Sequence, residues 1–168
     1  MLPDGHRPFP DRDEFELFAS MTPAREVGGD FYDFFLVDDD HLALVIADVS
    51  GKGVPAALFM VIARTLIRNA AQHGRTPAEI FSGKGLATNA GHEHPAIRRA
   101  GGEWELTVYR HSPMLAAMDE MSFEEHGFTL GPGDSLFVYT DGVPEATNAD
   151  GELFGTERMV RALKKSGC

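Results

Sequence analysis

Three aspartates, Asp30, Asp48 and Asp141, lie at the ends of apolar or aromatic runs, each with glycine close by in the chain. A carboxylate at the end of a buried strand is costly to desolvate unless a positive charge compensates it. Several carboxylates that converge on one rim offer the oxygen ligands that hard divalent cations prefer. Two such cations, about 3.5–4 Å apart, can lower the pKa of a shared water and neutralise a phosphoryl group. The three aspartates therefore predict a metal-dependent enzyme.

The prediction of a metal site depends on all three aspartates occurring together, because a single aspartate beside glycine is common in ordinary turns. Arg25 precedes Asp30 in the same segment and offers a planar guanidinium that suits phosphate binding. A solvated surface arginine is the alternative interpretation of Arg25.

The first two aspartates must be positioned by strands near the start of the chain. Residues 14–36 predict two strands around a turn at Thr22 and Pro23, and residues 41–48 predict a further strand. The period-two alternation of that strand puts Asp48 on the face that carries the large apolar side chains. We therefore expect Asp48 at the mouth of the core rather than in solvent.

A helix is predicted directly after Asp48. Gly51 and Gly53 allow a sharp turn, and Pro55 fits the first turn of a helix. The apolar residues between positions 58 and 66 repeat at helical spacing and predict a core-facing stripe. Polar residues are expected on the solvent side, namely Arg64, Arg68 and Gln72. Gly74 suits a C-terminal cap, and residues 76–79 predict the start of a short second helix.

The second half of the chain is predicted to be mostly β-structure. Strands are expected at residues 86–89, 96–99, 104–109, 123–130 and 134–140, with a closing helix at residues 156–165. This order predicts an α+β fold, a layered sandwich of antiparallel β-sheets flanked by α-helices. We expect a flexible leader at residues 1–13, one domain at residues 14–165 and a short tail at residues 166–168.

Composition narrows the class of partner. The 168 residues suit one domain, and 26 acidic against 15 basic residues give a formal net charge of −11. That balance disfavours nucleic acid, whose phosphates need a basic surface, and anionic membranes. The most apolar stretch, residues 54–63, is too short to cross a bilayer before Arg64. The single cysteine, Cys168, excludes an internal disulfide and favours a cytoplasmic location.

Four segments in order resemble the SpoIIE/RsbU branch of the PPM-type metal-dependent serine/threonine protein phosphatases: residues 23–33, 48–53, 89–92 and 139–142. The likeness runs from about residue 15 to residue 163, and the first two segments are its specific part. It implies paired antiparallel sheets flanked by helices, with two Mn²⁺ or Mg²⁺ ions at one rim. It also implies a phosphorylated STAS-type anti-sigma-factor antagonist as substrate.

The resemblance also implies individual roles. Asp30 and Asp48 resemble the two bridging metal ligands, the carbonyl of Val49 a backbone ligand, and Asp141 the third carboxylate. Arg25 falls where animal relatives have a phosphate-binding arginine, at a position that varies among bacterial members. Asp33 is expected not to bind a metal ion itself and, at most, to contact the residues that do.

The chain departs from the family pattern in two places. A short glycine-containing link between residues 78–81 and 89–92 replaces the end of a helix, a central strand and most of a hairpin. The family's final strand, with its Asp-Asp motif, has no counterpart. A sheet without an interior strand exposes unpaired edges unless neighbours or a second chain close the gap. A homodimer is therefore a further expectation.

Three functional hypotheses follow. The first is a phosphoserine or phosphothreonine protein phosphatase. The second is a phosphatase-like binding domain that has lost activity with the missing strands. The third is another phosphate-cleaving metalloenzyme such as a nuclease, against which the acidic charge argues. A zinc pair at His92 and His94 is a weaker alternative, because no nearby cysteine completes a ligand set.

Overall fold

The computed structural model describes residues 8–9, 11–22, 29–49, 51, 53–72, 84–87, 92–108 and 126–166. The elements, in chain order, are β1 (Phe31–Leu36), β2 (Leu42–Ala47), α1 (Val54–Gln72), β3 (Lys84–Ala87), β4 (Ala96–Arg98), β5 (Trp104–Leu106), β6 (His126–Thr129), β7 (Ser135–Phe137) and α2 (Thr156–Ser166). They form the sheets β1-β2, β3-β6 and β5-β4-β7, and every pair is antiparallel. The predicted α+β class with antiparallel sheets and flanking helices is confirmed.

The hairpin β1-β2 alternates its side chains between two environments. Phe31, Asp33 and Phe35 are buried on one face of β1. On the other face Phe34 meets the ring of Phe9 at a centroid distance of 6.0 Å. Phe9 falls in the range predicted as a flexible leader, and the boundary of that leader stays a prediction. Since Asp33 is only 3 % exposed, its charge needs a partner in the interior.

Helix α1 supplies positively charged partners for Asp33. The helix therefore turns its arginines toward β1 and its predicted core-facing side outward, which is opposite to the predicted orientation. Nε of Arg64 lies 3.1 Å from Oδ2 of Asp33, and Nη1 of Arg68 lies 3.5 Å from the same oxygen. The Arg68 guanidinium also covers the ring of Phe35 at 4.7 Å. The predicted core stripe is exposed instead, as Leu58 (62 %) shows. The prediction of faces is wrong because the sequence pattern did not reveal a buried acid on β1 that needs both arginines.

The second layer is built around β4. Ala96 on β4 pairs with Leu106 of β5 on one side and with Phe137 of β7 on the other. Helix α2 packs beside β5 and buries Met159. At the rim of this layer, Nζ of Lys164 donates to Oε2 of Glu103 at 2.6 Å. These contacts fix the strand from which the third aspartate emerges.

A turn between β6 and β7 is held by one carboxylate. The N–H groups of Gly131 and Ala100 donate to Asp134 at 3.0 and 2.8 Å, and Nη1 of Arg99 donates to it at 2.6 Å. The Gly131 hydrogen bond, followed by those of Arg99 and Ala100, lowers the pKa of Asp134 to about 2. Asp134 therefore stays ionised and joins two loops.

Most predicted elements are present with shorter bounds. Residues 14–22 form no strand, although one was predicted there, because no described strand lies beside them to accept their hydrogen bonds. The predicted cap at Gly74, the helix start at residues 76–79 and the beginning of the strand at residues 123–125 lie outside the described residues.

Helix α1 is also relevant to the prediction that the chain has no segment long enough to cross a membrane. Its window Val54–Ala71 is long and apolar enough to cross a membrane by length and composition alone. The expectation that this stretch is too short is therefore wrong, because the apolar character resumes after Arg64. A single such helix is weak evidence, since core helices pass the same test. The absence of a membrane partner stays a prediction.

Candidate metal centre

The hairpin register brings Asp30 and Asp48 together. Phe31 pairs with Ala47 at the open end of β1 and β2. The residues one step further out, Asp30 and Asp48, therefore face each other across the two strands. Asp48 is exposed, and the expectation that it sits at the mouth of the core is wrong. The reason is that β2 ends at Ala47, so the strand alternation does not extend to Asp48.

Asp141 reaches the same place from the other sheet. It follows β7 after Tyr139, which is 4 % exposed and anchors the segment in the core. The hydroxyl of Thr140 donates to Oδ2 of Asp30 at 2.6 Å and so ties this segment to the hairpin. The N–H of Glu145 donates to the carbonyl of Asp141 at 2.8 Å and closes the following turn. The loop is thus held at both sides of Asp141.

The three carboxylates form one cluster. Ligand oxygens of Asp30, Asp48 and Asp141 all lie within 4.8 Å of one another. Partial desolvation of the carboxylate, a hydrogen bond with Asp30 and the charges of Asp30 and Asp141 raise the pKa of Asp48 to about 6. Like charges at this spacing repel one another. A divalent cation would relieve that repulsion, and an all-oxygen donor set fits Mn²⁺ or Mg²⁺.

Two glycines let the backbone close around the cluster. A Cβ atom at Gly29 would lie 2.5 Å from the carbonyl oxygen of Val49 and 2.9 Å from Oδ1 of Asp48. The N–H of Val49 donates to the carbonyl of Gly29 at 3.3 Å, which holds the two segments together. A Cβ at Gly142 would lie 3.4 Å from Oδ2 of Asp30. The absence of a Cβ at Gly29 therefore allows the Val49 carbonyl and the Asp48 carboxylate to lie close to its backbone.

The other residues predicted to act here have different positions. Arg25 lies outside the described residues. Asp33 points at α1 and binds arginines, so it supports the helix rather than the cluster. Thr140 and Gly29 were not predicted as site residues, although both adjoin a predicted aspartate in the sequence. The roles of the aspartates and of the Val49 carbonyl as metal ligands stay predictions.

The zinc alternative gains no support from the described residues. Within the ranges that the structure describes, the aspartate cluster is the one group of three or more His, Cys, Asp or Glu side chains close enough to hold an ion. That cluster includes neither His92 nor His94.

Solved structures that superpose on this chain define its fold. The RsbU and RsbW domains of Rv1364c from Mycobacterium tuberculosis superpose with a TM-score of 0.68 and 24 % identity, over 82 % of this chain and 45 % of that chain. The SiaA-PP2C domain of Pseudomonas aeruginosa superposes with a TM-score of 0.63 and 20 % identity, over 82 % of this chain and 65 % of that chain. The fold is that of a PP2C-type phosphatase domain.

The family follows from the sequence. The family model of Stage II sporulation protein E (SpoIIE) matches residues 38–84 and 79–167, which together exceed half of the chain. The chain belongs to the SpoIIE family, and the resemblance drawn from its motifs is confirmed. The match is divided at residues 79–84, shortly after α1 ends.

The chain covers only part of the length of two of its relatives. Protein IcfG of Synechocystis sp. (strain ATCC 27184 / PCC 6803 / Kazusa) is 29 % identical over 208 residues, covering 92 % of this chain and 33 % of IcfG. Phosphoserine phosphatase RsbU of Bacillus subtilis (strain 168) is 22 % identical over 171 residues, covering 86 % of this chain and 51 % of RsbU. The chain thus spans a third to a half of these relatives. Since 208 exceeds 168, IcfG has residues in the matched region without a counterpart here.

Proposed function

We propose that this domain is a metal-dependent phosphoserine and phosphothreonine protein phosphatase. The observation that carries the proposal is the convergence of three carboxylates within 4.8 Å on a PP2C-type fold. Membership in the SpoIIE family and similarity to a relative named phosphoserine phosphatase support it.

The chain's own groups provide the binding site. Asp30, Asp48 and Asp141, with the carbonyl of Val49, would hold two Mn²⁺ or Mg²⁺ ions. Bound divalent ions supply Lewis acidity that activates water and neutralises phosphoryl oxygens. The Thr140 hydroxyl donates to Oδ2 of Asp30 and so restricts the rotation of that carboxylate. This support reduces the freedom of a ligand that must keep a fixed geometry.

Protonation controls whether the site can bind cations. Metal ligation requires deprotonated carboxylates. The pKa of Asp48 is raised to about 6, so below that pH a bound cation must displace the Asp48 proton. Above that pH the Asp48 carboxylate is ready to bind, and the repulsion between the like charges of the cluster favours cation uptake. The phosphatase should therefore lose metal affinity below pH 6.

Substrate recognition is the finer part of the proposal. We assign Arg25 to the phosphate, because a guanidinium presents two parallel donors to phosphoryl oxygens. The substrate proposed is a phosphorylated STAS-type regulatory protein of sigma-factor control in the cytoplasm. The acidic net charge of −11 disfavours nucleic acid as an alternative.

A second candidate function is a phosphatase-like binding domain without turnover. One observation favours it: the matched region of IcfG has residues that this chain lacks. Such a domain would bind divalent cations or a partner while leaving phosphoesters intact.

One set of measurements separates the candidates. Hydrolysis of p-nitrophenyl phosphate and of a phosphoserine STAS protein is measured with and without Mn²⁺, beside titration calorimetry with Mn²⁺. A phosphatase requires turnover that depends on Mn²⁺ and is abolished in Asp48→Asn, whereas Asp39→Asn, in an exposed loop, serves as the matched control. Calorimetric binding without turnover identifies the inactive binding domain. Cleavage of plasmid DNA without phosphoprotein turnover would identify a nuclease instead.

A further inference from the structure

The outer side of α2 is a row of basic side chains on an otherwise acidic protein. Helix α2 contains four basic residues and one acidic residue, which gives it a net charge of +3. The whole chain carries −11, so the residues outside α2 carry −14, the difference between −11 and +3. Arg158, Arg161 and Lys165 are exposed and follow one another at spacings of three and four residues, so they share one side of the helix. We call these three residues the α2 basic row.

The α2 basic row lies opposite the packed side of the helix. Helix α2 packs beside β5, and Met159 is only 2 % exposed. Leu163, one turn further along, is half-buried. Because Met159 and Leu163 mark the side that faces the sheet, the α2 basic row is directed away from it.

Stability of the helix does not explain the α2 basic row. Arg158 stands in the first turn, where the helix dipole disfavours a cation, and lies 3.8 Å from Glu152. Within the part of the chain that the structure describes, Arg161 and Lys165 have no ion pair and no hydrogen bond from their side chains. These two cations are four residues apart and repel each other. An anion from outside the described chain would relieve that repulsion.

The surroundings of the α2 basic row favour a short acidic segment of a protein over a long polyanion. Acidic side chains adjoin the row: Glu152 lies beside Arg158, Glu157 belongs to α2 itself, and Glu103 accepts from Lys164 at 2.6 Å. Nucleic acid or an anionic membrane would bring its phosphates against these acids and against the remaining charge of −14. A protein segment can place a few carboxylates on the row alone.

The length of the α2 basic row matches a small number of carboxylates. The helix rises by about 10 Å from Arg158 to Lys165. Acidic residues one turn apart on a helix, or at alternate positions of an extended segment, are about 5–7 Å apart along the chain axis. Two or three carboxylates of a partner can therefore pair with the row at once.

The α2 basic row also begins near the candidate metal centre. The N–H of Glu145 donates to the carbonyl of Asp141 at 2.8 Å, and the N–H of Gly155 donates to the carbonyl of Pro144 at 2.8 Å. Helix α2 starts at the next residue, Thr156. Pro144 is three residues from Asp141, and three residues span at most about 11 Å. A protein whose phosphoserine occupies the metal centre is therefore within reach of α2.

We infer that the α2 basic row docks an acidic segment of the phosphoprotein substrate. That the partner is a substrate rests on the proposed phosphatase function, whereas the binding of an acidic segment does not. The row lies apart from the residues that would hold the metal ions, so it contributes binding that is equal in the ground state and the transition state. Such binding lowers KM and leaves kcat unchanged.

Hydrolysis of paired phosphoserine peptides tests the docking in the presence of Mn²⁺. In each pair the phosphoserine is joined by a Gly-Ser linker to a short run of either glutamates or glutamines. Linkers of about 5, 10 and 20 residues cover spans of about 12 to 25 Å. The wild type should have a lower KM for the glutamate peptide at equal kcat. Replacing both Arg161 and Lys165 by glutamine should raise that KM about two- to thirtyfold, the contribution of two exposed ion pairs.

Matched variants separate the docking from a general effect of charge. Arg161→Glu and Arg12→Glu change the net charge equally, and only Arg161→Glu should raise the KM for the glutamate peptide. Arg161→Lys keeps the charge and should keep the low KM. The preference for the glutamate peptide should fade between about 0.1 M and 1 M NaCl, as the Debye length falls from about 10 Å to about 3 Å. Thermal melting confirms that each variant is folded.

The outcomes distinguish failure of the docking from failure of the proposed function. Equal KM values of the wild type for the two peptides, while p-nitrophenyl phosphate is hydrolysed, reject the docking and leave the phosphatase intact. If p-nitrophenyl phosphate is not hydrolysed, the proposed function fails, and fluorescence anisotropy with the labelled peptides decides on the row. Binding of the glutamate peptide that is lost when Arg161 and Lys165 are replaced supports an acidic partner, and absence of binding rejects it.

Two other occupants are tested with the same proteins. A duplex DNA oligonucleotide and vesicles of phosphatidylserine and phosphatidylcholine replace the peptides as probes. Binding of either probe that is lost when Arg161 and Lys165 are replaced, without binding of the glutamate peptide, assigns the α2 basic row to phosphates. That result would overturn the inference.

Discussion

Replacing Gly29 by alanine tests the close backbone approach at the candidate metal centre. The new Cβ would lie 2.5 Å from the carbonyl oxygen of Val49 and 2.9 Å from Oδ1 of Asp48. The nearer atom belongs to the backbone, so the ends of β1 and β2 must separate. Overpacking of this kind costs about 1–3 kcal/mol. For a domain of this size each kcal/mol lowers the melting temperature by about 2–4 °C, so we expect a decrease of roughly 2–12 °C.

The same displacement should weaken cation binding, because it moves the Val49 carbonyl and the Asp48 carboxylate together. A tenfold weaker Mn²⁺ affinity would remove about 1.4 kcal/mol of the stabilisation by saturating Mn²⁺. Thermal melts with and without Mn²⁺ measure both effects in one experiment. The matched control is Gly127→Ala in β6, where no atom lies within 4 Å of the added Cβ. Equal melting temperatures in the two variants, or undiminished Mn²⁺ stabilisation in Gly29→Ala, would refute the reasoning.

Three further predictions concern charge. The pKa of Asp48 is raised from 3.8 to about 6, so the metal-free protein should lose stability as pH rises from 3.8 to about 6. Asp48→Asn should remove this loss of stability. It should also abolish the stabilisation of the protein by Mn²⁺. Arg64→Ala should lower the free energy of unfolding by roughly 1–3 kcal/mol, because the buried Asp33 carboxylate loses a hydrogen-bond donor and keeps only Arg68 beside it. Asp134→Asn should destabilise the protein at pH 7, and the difference from wild type should shrink as pH falls from 3.8 through about 2, because Asp134 becomes protonated in the folded state as well below that pH.

Each of these predictions has its own check. Urea unfolding of the chelator-treated protein between pH 4 and pH 8 measures the first, and a wild-type profile that rises with pH through the window contradicts it. A double-mutant cycle between Asp33→Asn and Arg64→Ala measures the second, and strict additivity would show that the two residues are not coupled. For the third, a destabilisation of Asp134→Asn that persists unchanged at pH 2 would point to lost packing rather than lost charge.

The sequence was sufficient for the local elements of the fold. Gly51, Gly53 and Pro55 predicted where α1 begins, and the helix starts at Val54. The strands around β4 were located within a few residues because their ends are set by turns such as Gly131 to Asp134. These features depend on neighbouring residues in the chain, which a sequence displays directly.

The orientation of α1 could not be predicted in the same way. Periodicity identifies which side of a helix is apolar and predicts that this side faces the core. In α1 the apolar side is exposed, and the side that faces β1 carries Arg64 and Arg68. The orientation of α1 depends on Asp33, whose burial on β1 is set by tertiary packing. Arg64 and Arg68 lie on the side of α1 that faces β1 because the buried Asp33 charge is costly without cationic partners.

For the candidate metal centre, the sequence alone indicated the three residues that the structure brings together: aspartates at the ends of apolar runs, within motifs of a phosphatase family. Only the tertiary structure decided that these acids meet. The register of β1 against β2 sets Asp30 opposite Asp48, and the Thr140 hydroxyl links the segment bearing Asp141 to Asp30. Contacts between residues about a hundred positions apart in the chain depend on how sheets pair and pack, which no local pattern of residues specifies.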